Sequence, residues 1–220
     1  MDKNRQISEQ GRERKGPAGL LIAFEGIDGT GKTTQVRMLC EALKDLHCDV
    51  VQTREPTDGR YGKQIRMLYK CRDSVTPEKE LELFLADRGE HVEQVINPAL
   101  LAGRIVVTDR YYYSTAAYQG AMGNDPELII RRNEEFAPVP DLVFLLEAPV
   151  KTGIHRVEKL RREDLNDFEQ EDTLTRVSVI FSQLHGANII RIDGTQSAAE
   201  VHRSVMNQIF PLLRSFGCGG

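Results

Sequence analysis

Apolar residues along the chain follow two spacings that alternate. Five short runs rich in β-branched residues read as buried strands: 20–24 (LLIAF), 49–53 (DVVQT), 104–109 (RIVVTD), 142–147 (LVFLLE) and 188–193 (NIIRID). Between them apolar residues recur at i, i+3 and i+4, the repeat of an amphipathic helix. The clearest helical stretch is 77–103, where Leu81, Phe84, Leu85, Val92, Val95 and Ile96 carry the repeat. Further helices are expected near 32–46, 61–70, 113–122, 126–136, 150–162, 168–185 and 197–214. Strands separated by helices imply βαβ units, hence an α/β fold with a mainly parallel sheet covered on both faces.

In such a sheet, ligands bind beyond the carboxyl ends of the strands. Those ends carry Glu25, then Arg54 and Glu55, then Asp109 and Arg110, and finally Glu147 and Asp193. Charge therefore collects where a site is expected.

The chain has 220 residues, which at about 150 per domain is one large domain or one domain with an inserted lid. Residues 19–214 are assigned to that domain, with flexible tails at 1–18 and 215–220. The net charge of −4 argues against a nucleic-acid partner held by a general basic field. Cys40, Cys48, Cys71 and Cys218 form no CxxC pair, which fits reduced thiols in a cytoplasmic protein. The polar 1–18 segment lacks the apolar stretch of a secretory signal, and no run approaches the roughly 18 apolar residues of a membrane span.

The most specific local signal is Gly26-x4-Gly31-Lys32-Thr33, a phosphate-binding loop placed between an apolar strand and a helix. Glycines let successive backbone N–H groups converge on phosphate oxygens, and the helix adds its positive N-terminal end. The loop Gly26, Ile27, Asp28, Gly29, Thr30, Gly31, Lys32, Thr33 and Thr34 is expected to bind a nucleotide polyphosphate, a feature shared by GTPases, ATP-driven motors and small-molecule kinases. Lys32 would reach the β/γ-phosphates, and the Thr33 hydroxyl would ligate Mg²⁺. Asp109 is either the acidic partner of that metal or a cap for the next helix. Arg110 and Arg54 either clamp phosphate or form ion pairs. Phe84 and Arg88 stand one turn apart on one helix face, as a core ring and its neighbour or as a base-stacking ring with a hydrogen-bonding partner.

Taken together, EGIDGTGKTTQ (25–35), TREPTDG (53–59), FLADRGEHVEQVINPAL (84–100), VVTDRYYYSTAAYQG (106–120), PDLVFLLEAP (140–149) and FEQE (168–171) closely resemble bacterial thymidylate kinases over about residues 20–209. The resemblance implies a nucleoside monophosphate kinase fold with a five-stranded parallel sheet of order 2-3-1-4-5 and a small lid near 156–170. It implies ATP as the nucleotide on the loop and transfer of its γ-phosphoryl group to dTMP, for dTTP synthesis, by a homodimer. Arg54 and Arg110 would hold the dTMP phosphate, Phe84 would stack on thymine and Arg88 would bond its edge. Asp28 would meet the sugar 3′-hydroxyl. Ser114, Thr115, Tyr118 and Gln119 would line base and deoxyribose, and Gln170 would close over them.

Departures from the family pattern bear on the lid. The loop carries Gly29 where related loops place an arginine, so the charge-stabilising arginine is expected from Arg161 or Arg162, with Arg156 on the approach. Asn166 and Asp167 stand before FEQE where an arginine is expected, and Glu147 replaces an aspartate. Two rival readings follow: a kinase for dUMP, UMP or a deoxynucleoside, and a nucleotide-binding regulatory module with weakened catalysis.

Overall fold

The computed structural model describes residues 19–69, 75–161, 167–213 and 216, with 160, 161 and 167–170 described as helix backbone alone. The five expected strands form: β1 (Leu20–Glu25), β2 (Val50–Arg54), β3 (Ile105–Asp109), β4 (Leu142–Glu147) and β5 (Ile189–Asp193). They pair in parallel in the order β2-β3-β1-β4-β5, as the family resemblance implies. Register sets Phe24 and Arg54 each opposite Asp109, and Glu25 opposite Leu145. The charged strand ends thus gather at the carboxyl end of the sheet, with Arg54 and Asp109 in register and Glu147 with Asp193 a few residues further out.

Side chains alternate across a strand, so central β1 feeds two cores. Leu20, Ile22 and Phe24 face α1 (Lys32–Asp45) and α9 (Ala198–Leu213), joined by Val36, Leu39, Val205 and Ile209. The Phe24 and Phe144 rings meet there at 5.1 Å. Phe216, assigned from sequence to the C-terminal tail, also packs against this layer. Leu21 and Ala23 face the opposite layer with Ile96, Leu100, Tyr111, Val177 and Phe181. Fully buried aliphatic residues such as Leu39 make these layers sensitive to truncation, with Leu39→Ala expected to cost about 2–5 kcal/mol.

Local chemistry sets the helix starts. Thr76 accepts from Lys79 N ahead of α3 (Pro77–His91), and Asp125 caps α6 (Pro126–Glu134) through Glu127 N and Leu128 N. Proline opens both helices, where its missing N–H costs nothing. Ser197 and Glu200 form a reciprocal box at the start of α9. The remaining helices are α2 (Arg60–Leu68), α4 (Asn97–Leu101), α5 (Tyr112–Ala121), α7 (Val150–Arg161) and α8 (Asp167–Gln183).

The 77–103 stretch is not one regular helix. Between α3 and α4, residues Val92–Ile96 widen into a π-turn. Pro98 cannot donate to the carbonyl one turn back and its ring crowds that carbonyl, and the wider turn absorbs the mismatch.

From β1 the chain crosses to β2 on one side, and from β3 it crosses to β4 on the other. The loop after β1 therefore sits at the topological switch point, where the sheet opens into a crevice.

Candidate active site

That loop is shaped by three glycines with positive φ. At Gly26 (φ 131°) a β-carbon would stand 2.3 Å from the Leu146 carbonyl oxygen, and at Gly29 (φ 80°) one would stand 2.1 Å from that of Gly153. Gly31 (φ 97°) opens α1, whose first turn has no side-chain cap, leaving its amides for an anion. Thr30 Oγ1 and Lys32 Nζ both donate to the Ile27 carbonyl, at 2.9 and 2.7 Å. Lys32 is only 5% exposed. Burial, followed by the positive charge of Arg110, pulls its ammonium down to about 8, against the opposing pull of Asp28, Asp109 and Glu25.

Thr33 Oγ1 donates to Asp109 Oδ2 at the mouth of the loop. A hydroxyl beside a carboxylate suits a hard divalent cation such as Mg²⁺, which binds one or two protein oxygens and completes its shell from water and phosphate. Among the described residues no group of three or more His, Cys, Asp or Glu could hold a metal alone. Asp109 does not cap α5. That task falls to Glu25, which accepts from Tyr111 N at 2.9 Å, Ser114 N at 3.2 Å and the Ser114 hydroxyl. Burial nevertheless pushes the Glu25 carboxyl up to about 7, outweighing the Ser114 hydrogen bond and the charge of Arg110.

Arg110 adopts φ 71°, a left-handed conformation that costs a non-glycine residue about 1–2 kcal/mol. It turns the guanidinium back over the loop. Nη2 donates to Asp28 Oδ1 at 2.7 Å, Nη1 donates to Ser114 Oγ at 2.8 Å, and the group lies 5.1 Å above the Tyr118 ring. Arg54 is 63% exposed and rests on Asp58 at 2.9 Å.

A cleft of about 700 Å³ joins these groups. It runs from Arg54 and Glu55 past Asp109, Arg110 and the loop to Gly194, Gln196 and Val201 beyond β5. Arg156 also lines it, with its guanidinium spent on three carbonyls: Gly29 at 3.3 Å, Gly194 at 2.7 Å and Thr195 at 3.4 Å. Arg156, on the approach to Arg161 and Arg162, here bridges the loop and the segment after β5. The side chains of Arg161 and Gln170, and all of Arg162, lie outside the described residues.

On the acceptor side Phe84 is half-buried and belongs to no core cluster, so its ring is not core filling. Arg88 is 1% exposed and bonds Glu55, Asn133 Oδ1 at 2.6 Å and Thr115 Oγ1 at 3.0 Å. Those contacts take four of its five N–H donors among the described residues. Ser114 and Thr115 are buried on protein partners, and Gln119 accepts from Asn124 at 3.3 Å; Tyr118 is half-buried beside Asp28. Phe84 and Arg88 line neither this cleft nor the second cavity, of about 720 Å³, between α1, β2 and the end of α3.

Sequence reasoning had not assigned roles to Glu55, His91, Asn133 or Gly153. Glu25 and Glu55 stood among the charged strand ends, the one signal that pointed to them.

A five-stranded parallel sheet in this order, with a phosphate loop at its switch point and arginines across the cleft, defines a phosphate-loop nucleoside monophosphate kinase fold. Known proteins narrow the class. The family described as thymidylate kinase matches residues 24–205. The chain is 52% identical over 196 residues to the thymidylate kinase of Desulfotalea psychrophila, covering 89% of this chain and 96% of that protein. It is 44% identical to that of Akkermansia muciniphila, over 90% of this chain and 95% of the relative. A probable thymidylate kinase of Archaeoglobus fulgidus is 40% identical over 88% of this chain and 96% of its own. The chain belongs to the thymidylate kinase family.

Proposed function

We propose that the protein transfers the γ-phosphoryl group of ATP to dTMP, yielding ADP and dTDP. Family membership names the reaction, and the observation that carries it here is one cleft that brings the phosphate loop together with Arg54 and Arg110.

An oxygen of the dTMP phosphate attacks the γ-phosphorus as the bond to the ADP oxygen breaks. With a second pKa of about 6, a phosphate monoester is mostly dianionic at pH 7, so the acceptor needs no general base. Catalysis reduces to alignment and charge neutralisation. Lys32 and the loop amides hold the β/γ-phosphates, and Arg110 and Arg54 exchange Asp28 and Asp58 for the acceptor phosphate. Phe84 stacks on thymine and the remaining N–H of Arg88 bonds its edge. Asp28 meets the sugar, with Tyr118 beside it. Thr33 and Asp109 hold Mg²⁺, which neutralises phosphate charge when bound. Arg161 or Arg162 reaches the transferring group, and Gln170 closes over the acceptor. A cytoplasmic homodimer built through helices completes the proposal.

ADP formation with MgATP and a panel of dTMP, dUMP, UMP, CMP, AMP and GMP tests this reading. Strong preference for dTMP supports it. Preference for another monophosphate overturns the base assignment, and turnover with none overturns the activity.

A further inference from the structure

Three neighbouring residues at the end of α3 grip the segment that follows β2. Asp87 accepts from Thr57 N at 2.8 Å and from the Thr57 hydroxyl at 2.6 Å. Arg88 donates to Glu55 through Nε at 2.9 Å and through Nη2. His91 sits between two partners: Nδ1 is 2.9 Å from Glu55 Oε1, and Nε2 is 2.7 Å from Thr53 Oγ1. Burial opposes ionisation of Glu55, but the charge of Arg88 and the His91 contact outweigh it and hold the carboxyl below its usual range. As a carboxylate it only accepts, so Nδ1 donates.

Alternation along extended backbone explains what this bridge reaches. Thr53 and Glu55 both meet His91 on α3, whereas Arg54 between them stays exposed on Asp58 and lines the cleft. His91 therefore holds both neighbours of Arg54. Through Glu55 it also holds the guanidinium of Arg88.

We propose that His91 is a positioning residue of the acceptor site, fixing the spacing between the phosphate clamp Arg54 and the base-reading Arg88. The inference rests on the acceptor roles given to those two arginines. His91 touches no substrate, so its effect is read in acceptor binding and not in the handling of ATP.

The test is steady-state kinetics on His91→Asn, His91→Ala and Thr53→Val, with Arg54→Ala and Arg88→Ala as controls. His91→Asn and Thr53→Val are expected to raise KM for dTMP about tenfold while KM for MgATP stays within about twofold. His91→Ala is expected to be worse than His91→Asn, whose amide still reaches Glu55. In an Arg88→Ala background the effect of His91→Asn should shrink, because the two act through one carboxylate. A lowered Tm with no selective change in KM for dTMP makes His91 merely structural and overturns the proposal, as does a parallel rise in both KM values. If His91 and Thr53 variants leave KM for dTMP unchanged while the arginine controls raise it, the positioning role fails and the acceptor reading survives. If the controls leave it unchanged, both fail together.

Discussion

The backbone of Gly153, in the first turn of α7, occupies the space that a side chain at Gly29 would need. A β-carbon on Gly29 would stand 2.1 Å from the Gly153 carbonyl oxygen, and one on Gly153 would stand 2.5 Å from that of Asp28. Helix α7 is thereby seated directly on the phosphate loop, and Arg156 adds a second tie to the Gly29 carbonyl. This contact leaves no room for a side chain at position 29. Gly29→Ala meets both the left-handed penalty, about 1–2 kcal/mol, and the clash. The expected result is a lower Tm together with a raised KM for ATP, and Gly29→Arg should do no better. Thermal melts paired with ATP titrations check it.

A side chain at position 29 would clash, and Arg156 bonds carbonyls, so the proposed mechanism gives charge stabilisation to Arg161 or Arg162. Alanine at both Arg161 and Arg162 is expected to lower kcat by about 10³-fold or more, at the low end for arginine fingers. Near-normal kcat in the double variant, measured at saturating ATP and dTMP, would remove them from the mechanism.

Lys32 offers a proton-linked signal of nucleotide binding. Its ammonium is held down at about 8, below the ordinary 10.5, chiefly by burial. Phosphates favour the charged form and raise that value, so at pH 8 ATP binding should take up about half a proton. Calorimetry at pH 8 in two buffers with different ionisation heats measures the uptake, which should vanish in Lys32→Met. The same substitution is expected to lower kcat by about 10²-fold or more.

Glu25 gives a stability profile of definite sign. Its folded value of about 7 lies above the ordinary 4.5, so the folded protein binds the extra proton between those limits. The stability contributed by protonation is fully present below pH 4.5 and is lost as pH rises to about 7, an effect on the order of 3 kcal/mol. Glu25→Gln should flatten the fall in Tm between pH 5 and 7. At pH 8 the variant should melt above the parent. An unchanged pH profile would show that burial of this carboxyl is not what shifts it.

The parts legible in the sequence were those written locally. The apolar run 20–24 and the glycine spacing from Gly26 to Thr33 each carry their signal within a few residues, and the strands formed where the apolar runs stood. Strand order came from family resemblance, since no local pattern in a parallel sheet says which strands adjoin. The Thr53–His91–Glu55–Arg88 chain was not legible because its partners stand more than thirty residues apart and look like ordinary polar positions on a strand and a helix. Asp109 could be read as metal partner or helix cap until Glu25, from a different strand, proved to hold the start of α5. The break in 77–103 was missed because apolar spacing continues through Pro98 while hydrogen bonding does not.

Lys32, Arg54 and Arg110 each have a protein oxygen within hydrogen-bond reach: the Ile27 carbonyl, Asp58 and Asp28. A phosphate that takes the same N–H must displace that oxygen, so each such contact is a trade of one acceptor for another. Net affinity is then the difference between two comparable bonds, and a weak or singly charged anion gains little from the swap. The internal oxygens act as competitors set at fixed local concentration, a threshold that favours ligands presenting several phosphate charges in the right places at once.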